Sequence, residues 1–289
     1  MSRNHQDVIS AAIVALLVAG IFSIPFYGAP VEAKEKPPFS GKKEPGTGLV
    51  GISEKVTTSQ GALCDPTLPS SSSKGGLSFR FVVPSTISTV LANNDPSKGV
   101  NVHIAFVGSD GKYFEAGMYY GDFTAGGTSG YDKTKFQFAY GASNPGKIKG
   151  VSSLPVVAGH DMRISIFYFN SQSHWAVIFE DITAGTIDQK VATTDDPNVA
   201  SDLLNFMETN TAGSNINSDA LGLVTVKELK KATKIAGDGV STSNFTDGFV
   251  VKNCAFPQVS NYGVTYLGSP GNFKLGKDGS TKTNGSQLW

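Results

Sequence analysis

The stretch Leu77-Ser-Phe-Arg-Phe-Val-Val-Pro84 decides the fold class. Leu77, Phe79, Phe81 and Val83 alternate with Ser78, Arg80 and Val82, and a period of two sends alternate side chains to opposite faces of a strand. Pro84 has no N–H to give a ladder and ends the run. The same pattern returns downstream. Val100, Val102, Ile104 and Phe106 alternate, and Ser109-Asp-Gly111 follows as a turn. Tyr113 to Tyr120 comes next, then the glycine-rich loop Thr124–Gly130, then Phe136, Phe138 and Tyr140. After the loop through Asn144-Pro-Gly146 come Met162, Ile164, Ile166 and Tyr168. The turn Asn170-Ser-Gln-Ser173 leads back through Trp175, Val177 and Phe179 as a hairpin. Antiparallel strands at this spacing predict an all-β sandwich, one face of each strand on the core.

Helix signals are few. Asp196-Pro197 can cap a helix, with proline at its first turn, and Val199, Leu203, Phe206 and Met207 follow at helical spacing. Val226–Ile235 reads as a second short helix or an edge strand. Beyond Gly237 the chain is rich in Gly, Ser and Asn, with short strand candidates at Phe249–Val251 and Val264–Leu267. No internal repeat is visible.

Of the 289 residues only 17% are charged, and Lys+Arg and Asp+Glu both count 24. A balanced chain has no field to draw it to nucleic acid, whose binding leans on Lys and Arg at phosphates. Val8 to Tyr27 holds no charged residue, and about 20 apolar residues suffice to cross a bilayer. Two export readings follow. The run is an uncleaved anchor, or a signal peptide cut near Ala33 after Val31-Glu-Ala33. Either places the rest of the chain outside the cytoplasm, at the cell surface or secreted. Lys34 to Gly48 is mostly Lys, Glu, Pro and Gly, too polar to pack. The expected organisation is thus a signal or anchor segment over 1–33, a flexible tether over 34–60 and a sandwich over 61–289.

Cys64 and Cys254 are the two cysteines. In an oxidising compartment an even count suggests a disulfide. Two buried thiols are the alternative. Asn244-Phe-Thr246 and Asn284-Gly-Ser286 are glycosylation sequons. His103 falls on the polar side of its strand, His160 in a turn and His174 at the start of a hairpin strand. That spacing predicts no metal site, and no cofactor motif is present. There is no Gly-x-Ser-x-Gly elbow, and neither cysteine has a nucleophile's surroundings.

The order of features resembles the glutamic peptidases (eqolisins). Phe79-Arg-Phe-Val-Val-Pro84 looks like that family's opening strand, and Phe106-Val-Gly-Ser-Asp-Gly111 is similar to its Trp-Val-Gly-Ile-Asp-Gly segment. Phe114-Glu-Ala-Gly117 sits where the family has Leu-Gln-Thr/Ala-Gly. Val157-Ala-Gly-His-Asp161, Trp175 to Gly185 with Glu180-Asp-Ile-Thr-Ala-Gly185, and Leu221-Gly-Leu-Val-Thr-Val226 follow in the family's order. The resemblance covers roughly residues 78–226. It implies an antiparallel concanavalin-like or eqolisin-like β-sandwich with one or two short helices, behind the N-terminal helix. The family works with a Gln and a Glu that activate water and stabilise the tetrahedral intermediate. Here Glu115 holds the Gln position. The Glu position falls on Asn205, or on Glu208 after a shift of three residues, so the pair is not preserved.

Three functions remain open. The first is a non-catalytic surface module that binds a glycan or an envelope protein, or its own copies, through Tyr113, Glu115, Tyr119 and Trp175. Glu115 alternates with both tyrosines, which suits a groove or a solvated face. Trp175 suits the core or a ligand platform. The second is an acid endopeptidase in which Glu115 and Glu208 share a proton. The third is a structural envelope or filament subunit, with self-assembly as its whole role.

Overall fold

A computed structural model describes residues 48–54, 76–93, 95–108, 113–123, 130–143, 146–169, 174–193, 200–209, 216–234, 240–245, 248–254, 261–283 and 286–289. The chain divides into two units, Met1–Lys34 and Glu35–Trp289, and every described residue belongs to the second. Among the described residues no helix is long and apolar enough to cross a membrane. The run Val8–Tyr27 lies outside them, as do Cys64 and Asn284.

The strands are β1 (Gly48–Glu54), β2 (Gly76–Val82), β3 (Val100–Gly108), β4 (Tyr113–Tyr120), β5 (Gln137–Ser143), β6 (Gly146–Val151), β7 (Asp161–Phe169) and β8 (His174–Asp181). Then come β9 (Thr186–Thr193), β10 (Ala200–Thr209), β11 (Leu223–Lys234), β12 (Val240–Ser243), β13 (Phe249–Cys254), β14 (Tyr262–Ser269) and β15 (Asn272–Lys277). Two short helices, α1 (Ile87–Asn93) and α2 (Ile216–Leu221), complete the set. One sheet runs β13-β1-β10-β3-β4-β5-β6. The other runs β14-β15-β11-β2-β7-β8-β9, with β12 beside β11. The pairings are antiparallel.

The alternation read from the sequence becomes the core. Leu77, Phe79 and Phe81 of β2, Val102 and Ile104 of β3, Phe114 and Met118 of β4 and Ile164 and Ile166 of β7 are all buried in one cluster that draws on both sheets. Phe79 and Phe81 stack with ring centroids 4.7 Å apart. At roughly 25 cal/mol per Å² of apolar surface, burial of such rings dominates the favourable side of folding.

The motifs behind the family resemblance do structural work at one corner. Val83 donates its N–H to the His160 carbonyl at 2.9 Å, and Gly159 donates to the Val83 carbonyl at 2.8 Å. The Asp181 carboxylate accepts from the Ala184 N–H at 2.9 Å, and Thr183 Oγ1 accepts from the Asp161 N–H at 2.8 Å. Gly185 closes the turn at φ 67, a conformation that favours glycine. His160 Nδ1 sits 2.8 Å from Asp181 Oδ2. Burial raises the Asp181 pKa, but these hydrogen bonds outweigh it and hold the carboxyl below its usual range. Asp161 is gripped by Arg80 through two hydrogen bonds, of 2.9 and 2.6 Å, and by Lys227 at 2.7 Å.

Three expectations change. The helix expected over Val199–Met207 is strand β10, paired on one side with β1 and on the other with β3. Leu203, Leu204, Phe206 and Met207 place apolar residues at both parities, a pattern that a helix and a doubly paired strand share. Pairing along both edges then overrides the local signal. The two short helices lie elsewhere, before β3 and before β11. Val226–Ile235 falls largely within β11, an interior strand between β15 and β2 rather than a helix or an edge. β1 lies inside the stretch 34–60 expected as tether, so the sandwich takes up part of it.

Candidate functional site

Each strand of the seven-stranded sheet has a second face, turned away from the core. On β3 that face carries Asn101, His103 and Ala105, and on β4 it carries Glu115, Gly117 and Tyr119, because their neighbours in sequence fill the core. Its polar side chains are nonetheless buried. Asn101 and His103 are 0% exposed and Glu115 is 8% exposed.

Buried polar groups need partners, and these find one another. The Tyr119 hydroxyl donates to Glu115 Oε1 at 2.9 Å. His103 Nδ1–H donates to Asn101 Oδ1 at 2.6 Å, which leaves Nε2 on the side of Glu115, 3.8 Å from Oε2. The His103 and Tyr119 rings stack with centroids 6.4 Å apart. Burial pushes the imidazole pKa down to about 3, so the ring is neutral at pH 7. Gly117 lies between Glu115 and Tyr119 where a Cβ would come 2.6 Å from the His103 Cβ. Only glycine lets the two strands meet there.

Beside this cluster is an aromatic ledge. Tyr119 meets Phe123 edge to face at 5.4 Å, and Tyr131 donates its hydroxyl to the Gly121 carbonyl at 2.9 Å. Tyr119, Ala139 and Ile148 form a small buried cluster on which half-buried Phe123, Tyr131 and Val151 pack.

The structure brings together some of the expected site residues and separates others. Glu115 and Tyr119 share a face and a hydrogen bond. Tyr113 opens β4 opposite Val107. Trp175 is 1% exposed in the core, its ring against Phe114 at 5.2 Å and Phe106 at 5.0 Å. Glu208 pairs with Asn101, and Asn101 with Tyr119, whereas Glu115 pairs with Ala105. The two glutamates are therefore two strands and four residues apart, about 17 Å between Cα atoms at ordinary strand spacing and rise. Asn205 pairs with Ile104, in a row of core positions, and not with the row of Ala105 and Glu115. Cys254 ends β13, and Asn244 is exposed after β12. Sequence reasoning passed over Asn101 and gave His103 no role. The available signal was two polar residues at alternate positions of an otherwise apolar strand. Among the described residues no three His, Cys, Asp or Glu side chains converge as a metal site.

No family model and no curated protein matches the sequence. Among solved structures the chain is similar to scytalido-glutamic peptidase bound to a peptide-based transition-state analogue. The TM-score is 0.45 and the identity 11%, over 80% of this chain and 98% of that one. SCP-B, a member of the eqolisin family of peptidases in complex with the tripeptide Ala-Ile-His, matches at a TM-score of 0.44 and 12% identity, over 80% and 98%. The basic winged bean lectin bound to Tn-antigen matches at 0.32 and 13%, over 47% and 60%. All three scores lie below 0.5 and all three identities below 25%, so neither a fold family nor a chemistry is taken from them.

Proposed function

We propose that this chain is an exported β-sandwich module, held at the membrane by Val8–Tyr27, that binds a ligand at the cell surface and does not cleave peptides. The observation that carries the reading is the register. Glu115 and Glu208 lie about 17 Å apart at Cα, beyond the reach of two carboxylates that share one proton. Hydrolysis by such a pair needs a base on water and a donor to the oxyanion within hydrogen-bonding distance of one carbonyl. Glu115 is instead an acceptor for Tyr119.

The half-buried rings of Phe123 and Tyr131, packed over buried Tyr119, favour a glycan as the ligand. The apolar face of a sugar ring stacks on an aromatic ring, and nearby polar groups take its hydroxyls. An envelope protein is the other outcome to be tested. The test is a glycan array and a pull-down from cell envelopes with purified full-length chain, compared with Phe123→Ala and Tyr131→Ala. Saturable glycan binding lost in both variants supports the reading. Capture of an envelope protein that both variants retain moves the ligand away from the ledge. Sedimentation with membranes and release only by detergent support the anchor, whereas a soluble mature chain starting near Lys34 would show a cleaved signal.

A further inference from the structure

The last segment of the sandwich is held by both sheets. Thr281 exchanges two backbone hydrogen bonds of 2.9 Å with Val264 of β14, and Ser280 donates its N–H to Thr265 Oγ1. Asn253 Nδ2 donates to the carbonyls of Tyr262 and Lys282, at 3.1 and 3.0 Å. Residues 286–289 bond to the other sheet. Val251 donates to the Ser286 carbonyl at 2.8 Å, Leu288 donates to the Phe249 carbonyl at 2.8 Å, and Phe249 donates to the Trp289 carbonyl at 3.2 Å. Residues 286–289 thus extend the seven-stranded sheet beyond β13, with a bridge between Val250 and Gln287.

The seat is shaped for this segment. Leu288 enters the core. The Trp289 ring stacks on Phe249 at 4.9 Å and on Tyr266 at 5.9 Å, with Phe273 at 6.1 Å. A Cβ on Gly248 would come 2.4 Å from the Trp289 carbonyl oxygen, and one on Gly263 would come 2.6 Å from the Thr281 carbonyl oxygen. Glycine at both positions is what admits the segment's backbone.

We propose that the seat on β13 and β14 is a peptide-binding site, filled in one chain by its own residues 280–283 and 286–289, and that it accepts the same residues from a second copy, joining chains by strand exchange. Every contact above is non-covalent and can be made with a strand from either chain, so exchange keeps them and gives up only hinge contacts such as the bond from Asp278 N–H to the Asn261 carbonyl. A short tether gives the chain's own segment an effective concentration in the millimolar range. Exchange therefore needs crowding of copies or loosening of the segment. A sheet edge that takes an extended segment draws affinity from main-chain bonds and specificity from pockets, here the Trp289 pocket.

The first test uses the purified full-length chain carrying Trp289→Ala and a labelled peptide with the sequence of Ser280–Trp289. Saturable binding at least tenfold tighter than to the unmodified chain is expected, and its loss when Gly248→Ala is added. Absence of binding to a Trp289→Ala chain that keeps its native far-UV circular dichroism and a cooperative unfolding transition, or equal binding to the unmodified chain, overturns the proposal. Should Trp289→Ala not fold alone, the peptide added during refolding must restore that spectrum, and failure to do so also overturns it. In the second test, two differently tagged unmodified chains are concentrated together, warmed to just below their melting temperature and diluted. Mixed dimers that persist are expected. Recovery of monomers only would contradict exchange between copies. Neither readout depends on Glu115.

Discussion

Tyr119 donates its hydroxyl to Glu115 from four residues further along the same strand, a bond of 2.9 Å on the face of β4 that turns away from the core. That bond ties Glu115 into the scaffold. Tyr119→Phe should cost about 1–3 kcal/mol of stability and leave the sandwich intact, as read by urea denaturation and near-UV circular dichroism.

His103 makes the fold sensitive to acid. Its folded-state pKa, about 3, lies below the 6.5 of an exposed imidazole because burial disfavours the charged ring. A depressed folded pKa means that the unfolded chain takes up the proton first. The stabilisation is complete above pH 6.5 and is lost as pH falls from there toward 3. The loss across that window should be a few kcal/mol. His103→Gln should flatten the pH dependence of the unfolding midpoint, and an unchanged slope would remove His103 from the account.

Asp161 titrates lower. Burial raises its pKa, but the hydrogen bonds from Arg80 and Lys227 outweigh that and the net shift is downward. Its contribution is present above the unfolded carboxyl value near 3.8 and disappears below it. Asp161→Asn should destabilise the protein at pH 7 by about 1–3 kcal/mol and make little difference near pH 2, which two denaturation curves can compare.

Trp175 separates packing from binding. Buried against Phe106, Phe114 and Tyr168, it should cost about 3–5 kcal/mol when replaced by alanine. Phe123→Ala on the ledge should cost far less and should weaken ligand binding. The reverse pattern would mean that Trp175 reaches the ligand.

Much of the fold was legible because a strand with one face on a core writes period two into its sequence. Leu77, Phe79 and Phe81 against Ser78 and Arg80 do so, as do Val102 and Ile104 against Asn101 and His103. The same rule misleads about the site. Polar residues at alternate positions read as solvated, yet Asn101, His103 and Glu115 are buried, because alternation tells the two faces of a strand apart and does not record which of them is exposed. β10 was illegible for another reason. Its apolar residues occupy both parities, and only its pairing with β1 and β3 distinguishes strand from helix. The distance between Glu115 and Glu208 likewise depends on register, and composition carries no register. The pairing of Cys64 with Cys254 stays a proposal, tested by whether non-reducing digestion yields a linked peptide.

The most direct test of the central claim is proteolysis. The purified full-length chain and its Glu115→Gln variant are incubated with unfolded protein substrates from about pH 2 to pH 7. The account predicts no cleavage above background by either protein at any pH, because the strand register holds Glu208 about 17 Å from Glu115 at Cα. Robust cleavage by the unmodified chain that disappears in Glu115→Ala would contradict it and make this sandwich a two-carboxylate peptidase.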